Sequence, residues 1–175
     1  MIAPITITPK PENNKAKVFV ATFGALGGLI FIFGMWAERY SGVISLVGML
    51  LIVAAITISV RYIMSRFVYE ITELEGEWLF IVGQYSGKRY TTLCRVGLHS
   101  VVSIEKCSSR DKTKRDLEYT RYTYLPTMMP DTYYVMTVRN RYEKAKISLQ
   151  LTDAMAAQLT AFAEEARLLF REDDE

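Results

Sequence analysis

Two uncharged apolar runs, residues 18–37 and 43–60, are separated only by Glu38-Arg39-Tyr40-Ser41-Gly42, and they decide most of what this chain can become. At about 1.5 Å of rise per residue, a 20-residue helix is about 30 Å long, the thickness of a bilayer's hydrocarbon core. The second run, two residues shorter, only just reaches that length. So short a connector makes the two helices antiparallel neighbours. A cleaved signal peptide fits poorly. The first run is too long for a signal h-region, its end Phe33-Gly34-Met35-Trp36-Ala37 is a poor small-x-small site, and a second span follows at once. No Asp, Glu, Lys, Arg or His interrupts either run. Charges within the membrane mark ion and proton paths, so their absence points to an anchor and away from a transporter or channel.

Orientation follows from the flanks. Lys10, Lys15 and Lys17 precede the first run, and Arg61 and Arg66 follow the second. The connector holds only Arg39, beside Glu38. By the positive-inside rule both termini face the cytoplasm of a two-pass cell-membrane protein. Trp36 and Tyr40 stand near one interface, and Tyr62, Phe67 and Tyr69 near the other, as amphipathic rings prefer. Gly24 and Gly28, four apart, with Ala21 and Ala25, offer a small-residue ridge for helix packing. Gly48, Ala54, Ala55 and Ser59 are its expected partners. Three regions result: a flexible, proline-bearing cytoplasmic tail (1–17), a two-helix transmembrane hairpin (18–65) and a cytoplasmic domain (66–175).

That last region carries 16 Lys and Arg against 17 Asp and Glu, so it is no polyanion binder as a whole. Its pattern is short runs rich in Val, Ile, Thr and Tyr, broken by turn residues. Seven strands are expected, at 67–73, 77–85, 88–96, 100–107, 119–125, 132–140 and 142–151, with Ser86-Gly87 turning the second into the third. Thr152 then caps a helix over 153–171, with Asp153 in its first turn and Met155, Leu159, Phe162, Ala163, Ala166, Leu169 and Phe170 on one stripe. Cys94 and Cys107 lack any zinc spacing and are expected to be free thiols.

Seven antiparallel strands and one C-terminal helix form the layout of a pleckstrin-homology (PH) domain. Tyr69-Glu70-Ile71-Thr72, then Gly87 with Arg89 and Thr92, then Val101-Val102-Ser103-Ile104 and the helix start LTDAMAAQL resemble bacterial membrane-anchored PH-like proteins. The resemblance implies an α+β membrane protein: a two-helix transmembrane hairpin followed by a PH-like, seven-stranded antiparallel barrel plugged by its C-terminal helix. It does not carry phosphoinositide binding with it. The loop that is basic in eukaryotic lipid-binding members is here the acidic Glu73-Leu74-Glu75-Gly76-Glu77, which repels phosphate.

Candidate sites are few. Gly83-Gln84-Tyr85-Ser86-Gly87-Lys88-Arg89 has the wrong glycine spacing for a P-loop, lacks its Ser or Thr, and precedes a strand. His99, the only histidine, has no metal-ligating or triad neighbours in sequence and reads as a loop residue. Glu73, Glu75 and Glu77 alternate as a solvated turn does. Lys106, Arg110, Lys112, Lys114, Arg115 and Arg121 form a basic stretch, a candidate contact for anionic lipid headgroups. Tyrosines interleaved with Arg121, Arg139 and Arg141 are accounted for by strand propensity, so no nucleic acid is expected. Trp78, Phe80 and Val82 lie on a strand apolar on both faces, a candidate surface for self-association or a membrane-protein partner. The sequence thus points to a membrane-anchored interaction or assembly module with no cofactor and no catalysis of its own. The alternative is an accessory subunit of a membrane enzyme or transporter.

Overall fold

The computed structural model describes residues 5–9, 13–38, 40–74, 76–109, 118–140 and 144–172. The chain divides into two compact units, Pro11–Ser65 and Met1–Lys10 with Arg66–Glu175.

The first unit is the hairpin. Helix α1 spans Asn14–Trp36 and α2 spans Ser41–Ile58, and a π-helical run, Ser59–Met64, continues α2. Tyr40 makes the turn with φ 65°, and its carbonyl accepts from the amides of Val43 and Ile44, each at 3.1 Å. The Asn13 side-chain amide donates to the Tyr62 carbonyl, tying the start of α1 to the π-helical run. Burial is inverted relative to a water-soluble helix. The buried positions are small, namely Ala16, Gly27 and Gly34 on α1 and Gly48 and Ala55 on α2. Large apolar side chains point outward, with Leu29 68%, Phe33 70% and Leu50 60% exposed.

The contact between the helices corrects the expected ridge. Gly48 sits at the crossing as expected: a Cβ there would lie 2.6 Å from the Phe31 amide nitrogen and 2.8 Å from the Gly27 carbonyl. Gly24 and Gly28 have open space around them. Their places are taken by Gly27 and Gly34, where added carbons would meet the Gly48 carbonyl at 2.9 Å and the Ser45 amide at 2.7 Å. Gly27 and Gly34 are seven apart, as are Gly48 and Ala55. Seven residues are close to two helical turns, so each pair lies on one seam.

The second unit holds strands β1 (Ile5–Ile7), β2 (Ser65–Leu74), β3 (Glu77–Ser86), β4 (Arg89–Gly97), β5 (Val101–Ser108), β6 (Thr120–Tyr124), β7 (Thr132–Arg139) and β8 (Lys144–Leu149), then helix α3 (Asp153–Glu172). They form two four-stranded sheets, ordered β1-β2-β3-β4 and β5-β7-β8-β6. The α+β class and the C-terminal helix stand as expected. The single seven-stranded antiparallel barrel does not: the described residues form eight strands in two sheets, with β6 and β8 parallel.

Each departure has a physical reason. The tail expected to be flexible supplies β1, whose Ile5 and Ile7 pair with Ile71 and Tyr69. Ile5 packs against the core, which offsets the entropy of ordering three residues. β6 runs parallel to β8, with Thr120 opposite Ala145 and Tyr124 opposite Leu149. β7 already occupies the other side of β8, so the 125–131 connection must cross to the far edge of the sheet. The β3–β4 turn is Gly87-Lys88, one residue later than expected. Ser86 pairs with Arg89, and Gly87 takes φ +62°, a conformation that costs a glycine little.

The core of this unit lies between the sheets and α3. Phe67, Tyr69 and Ile71 of β2, Trp78, Phe80 and Val82 of β3, and Ala145, Ile147 and Leu149 of β8 all point into it, as the two-residue period of a strand requires. Leu159, Ala163 and Ala166 add the stripe of α3. Thr152 caps that helix as expected, its hydroxyl accepting from the Met155 amide at 3.4 Å.

Candidate functional site

The expected interaction strand is the first correction at the level of sites. Phe80 is 2% exposed and Val82 is fully buried. Trp78 packs against Phe162 of α3 in a tilted arrangement, ring centroids 5.1 Å apart, and the Phe80 ring lies 6.1 Å from that of Tyr69. These three side chains form the domain's own core and present nothing to a partner. The second apolar face of β3 holds Leu79, also buried, and Ile81, half-buried.

Of the basic stretch, Arg110, Lys112, Lys114 and Arg115 lie outside the described residues. Lys106 and Arg121 are described and exposed, on β5 and on the edge strand β6. Lys106 is committed to a structural cluster. Its ammonium donates to Asp153 Oδ1 at 2.7 Å, and the Tyr134 hydroxyl donates to the same oxygen at 2.5 Å. The hydrogen bond from Lys106 holds the Asp153 carboxyl below its ordinary range, with that from Tyr134 adding to it. The same bond to Asp153 raises Lys106, and Tyr134 is raised by its own bond to Asp153. Three elements, β5, β7 and the start of α3, are clamped together there.

Two hollows within this unit stand out among the described residues. One, of about 560 Å³, is lined by His99, Glu164, Arg167, Leu168 and Phe170. His99 Nδ1 is 3.0 Å from Glu77 Oε1, and its ring stacks on Phe170 at 4.5 Å and 8°. His99 is therefore a packing residue between the 3₁₀ turn Leu98–Ser100 and α3, and not the simple loop residue that its sequence neighbours suggest. The second, about 350 Å³, lies between the edge of β4 and the β6–β8 pair, with Cys94, Arg95, Tyr122, Tyr124 and Asn140 among its lining. Burial, then the contact with Cys94, raises the Tyr124 phenol.

Neither hollow assembles a reacting constellation from its described residues. A nucleophile needs a base within hydrogen-bond reach, and the base needs an orienting partner. His99 has an acid partner in Glu77, but no Ser, Thr or Cys lines its hollow. Among the described residues no three His, Cys, Asp or Glu side chains group as metal ligands.

Sequence reading passed over the tip of the β3–β4 hairpin. Tyr85 and Tyr90 face each other across it, centroids 4.9 Å apart, each 41% exposed. The Tyr90 ring lies over Gly83, where any Cβ would collide with it. A bulge between Val82 and Gly83 puts Leu93 out of the register, and bulges of this kind increase strand twist and re-aim the end of a hairpin. Lys88 and Arg89 stand exposed beside the tyrosines. The signal was present in the sequence: residues 78–104 contain Lys88, Arg89 and Arg95 and no acid at all.

No family model matches the chain, and a search of curated proteins finds no similar sequence.

Proposed function

We propose that this protein is a membrane-anchored cytoplasmic module of the PH-like kind, which acts by binding and assembly and has no chemistry of its own. The observation that carries the anchor is the inverted burial of the hairpin. Both helices are long and apolar enough to cross a membrane, with mean hydropathy 2.2 and 2.7 and only 11% of either span buried. The core helix of a water-soluble protein is mostly buried, so these helices need an apolar solvent, and lipid is that solvent. Small residues face the partner helix and large ones face out, which is how membrane helices pack.

The PH-like reading is supported by two sheets that share one core with a C-terminal helix packed into it. β2 begins at Ser65, the residue after the π-helical run ends at Met64. With no linker residue between them, the domain is a tethered one with short reach, suited to partners in or on the same membrane. Resistance of the full chain to alkaline extraction from membranes, followed by gentle detergent purification, tests this reading. Retention in the membrane and recovery of a stoichiometric membrane-protein partner or a homo-oligomer are the expected results. Release into the alkaline supernatant overturns the anchor. Recovery only with a known enzyme or transporter assigns the chain to that complex as an accessory subunit.

A further inference from the structure

The two sheets end on the same hollow. Among the described residues β4 pairs with β3 alone and β6 with β8 alone, so each is the last strand of its sheet. Both border the hollow of about 350 Å³. β6 turns one face to it, through the alternate residues Tyr122 and Tyr124. β4 supplies five residues in a row, Leu93 to Gly97. Successive side chains of a strand point to opposite faces, so an unbroken run borders one space only where the backbone edge is turned to it. Such an edge offers amides and carbonyls in a row, and another extended backbone is what matches them. Val96, Val138 and Ile147 line the same hollow and are buried, which gives an entering strand an apolar seat for alternate side chains.

This sheet already holds an added strand on its opposite edge, where the three residues Ile5–Ile7 lie along β2. Shortness, proline and bulges are the usual protections of an edge. β4 is nine residues long and has no proline. Its register shift falls at Leu93, which leaves Cys94 to Gly97 in step with Val82 to Leu79. Charge then selects the occupant. Arg89 and Arg95 are exposed, β4 carries no acid, and neither arginine has an ion pair among the described residues. No acid lines the hollow among those residues either. A second copy fits badly: β4 against β4, antiparallel and centred on Thr92, sets Arg89 opposite Arg95, and centred on Arg95 it sets that residue against itself. Like charges directly opposite destabilise a strand pair.

We infer that the β4 edge, from Leu93 to Gly97, takes an extended acidic segment of a partner protein as an added strand, with a carboxylate of that segment on Arg95. Five extended residues span about 16 Å, so the segment is short. Lipid or a free carboxylate would meet Arg95 and leave the row of backbone groups unmatched.

The inference deepens the binding-module reading and rests on it. The probe is a fluorescent seven-residue peptide of alternating Val and Thr with a central Asp, titrated by anisotropy onto the full chain in mild detergent. Saturable binding is expected, with slowed hydrogen exchange at the β4 amides. A fully N-methylated peptide, which keeps the acid and loses the donors, is expected not to bind. Arg95→Glu is expected to weaken the Asp peptide by roughly tenfold and to favour the same peptide with Lys in place of Asp. Circular dichroism confirms that the variant is folded, and Arg95→Lys, which keeps the charge, is expected to retain the Asp peptide. Absence of saturable binding, exchange protection away from β4, or no change of preference in Arg95→Glu overturns the inference. Equal binding of the N-methylated peptide makes the hollow a small-anion pocket and overturns it too. The two readings fail separately. Recovery of a native membrane partner with no peptide binding sinks the strand site alone, and peptide binding by a chain that yields neither partner nor oligomer from membranes sinks the module reading alone.

Discussion

The Tyr69 hydroxyl donates to the Tyr124 carbonyl oxygen across 2.7 Å, which joins one sheet to the other. The same hydroxyl accepts from the Gln150 amide at 3.2 Å, reaching the end of β8. The residue is 1% exposed, and burial raises its phenol well above the ordinary range, so it stays neutral and able to donate. A protein made of two separate sheets needs such a strut, because a buried carbonyl and a buried amide would otherwise lack partners.

Tyr69→Phe keeps the ring and removes both bonds. We predict a loss of about 1–3 kcal/mol, the usual cost of leaving a buried polar group unpaired. Thermal unfolding of the full chain in mild detergent reads it. An unchanged midpoint would show that water replaces the hydroxyl.

Phe80→Ala, in the centre of the same core, should cost about 3–5 kcal/mol. Its mass in detergent should not change, because the side chain is turned inward. A variant of normal stability and altered oligomeric mass would restore β3 as a partner surface.

In the hairpin, Gly48→Val forces side-chain carbon against the backbone of Phe31 and should destabilise the helix pair by about 1–3 kcal/mol or more. Gly28→Val meets open space and should leave the pairing intact. Disulfide trapping between cysteines placed on the two helices compares them. Equal loss in both variants would contradict the observed seam.

The Lys106–Asp153–Tyr134 cluster gives stability a pH dependence on two sides. Asp153 is depressed, so its contribution is present above the unfolded carboxyl value, about 3.9, and is lost as pH falls through the lower folded value. Lys106 and Tyr134 are raised, so theirs is present below about 10 and is lost as pH rises through the higher folded values. Asp153→Asn should flatten both limbs and leave neutral-pH stability only slightly lower, since the groups are exposed. Melting temperature against pH measures this; limbs unchanged by the substitution would remove the cluster from the account.

Most elements were legible because the period of hydrophobicity reports them directly. The seven expected strands and α3 fall within about two residues of β2–β8 and Asp153–Glu172, since alternation and the three-four stripe depend on burial alone. What escaped depends on partners distant in sequence. Ile5–Ile7 is too short and too close to proline to signal a strand, and it exists only because β2 offers an edge. Gly24 and Gly28 carry the familiar four-residue spacing, yet spacing cannot say which face meets the other helix; Gly27 and Gly34 do. Trp78, Phe80 and Val82 look like surplus apolar surface until α3 is seen to supply Phe162. The hairpin tip was hidden for a different reason: its two tyrosines become a pair only when Gly87 turns the chain.

The central claim is a two-pass anchor with both ends on one side. Labelling by a membrane-impermeant maleimide in intact cells tests it, using full chains that lack Cys94 and Cys107 and carry one cysteine at Thr6, Ser41 or Ser86. The account predicts labelling at position 41 from outside, and labelling at 6 and 86 only after the membrane is opened. Protection at 41 together with outside labelling at 6 or 86 would contradict it.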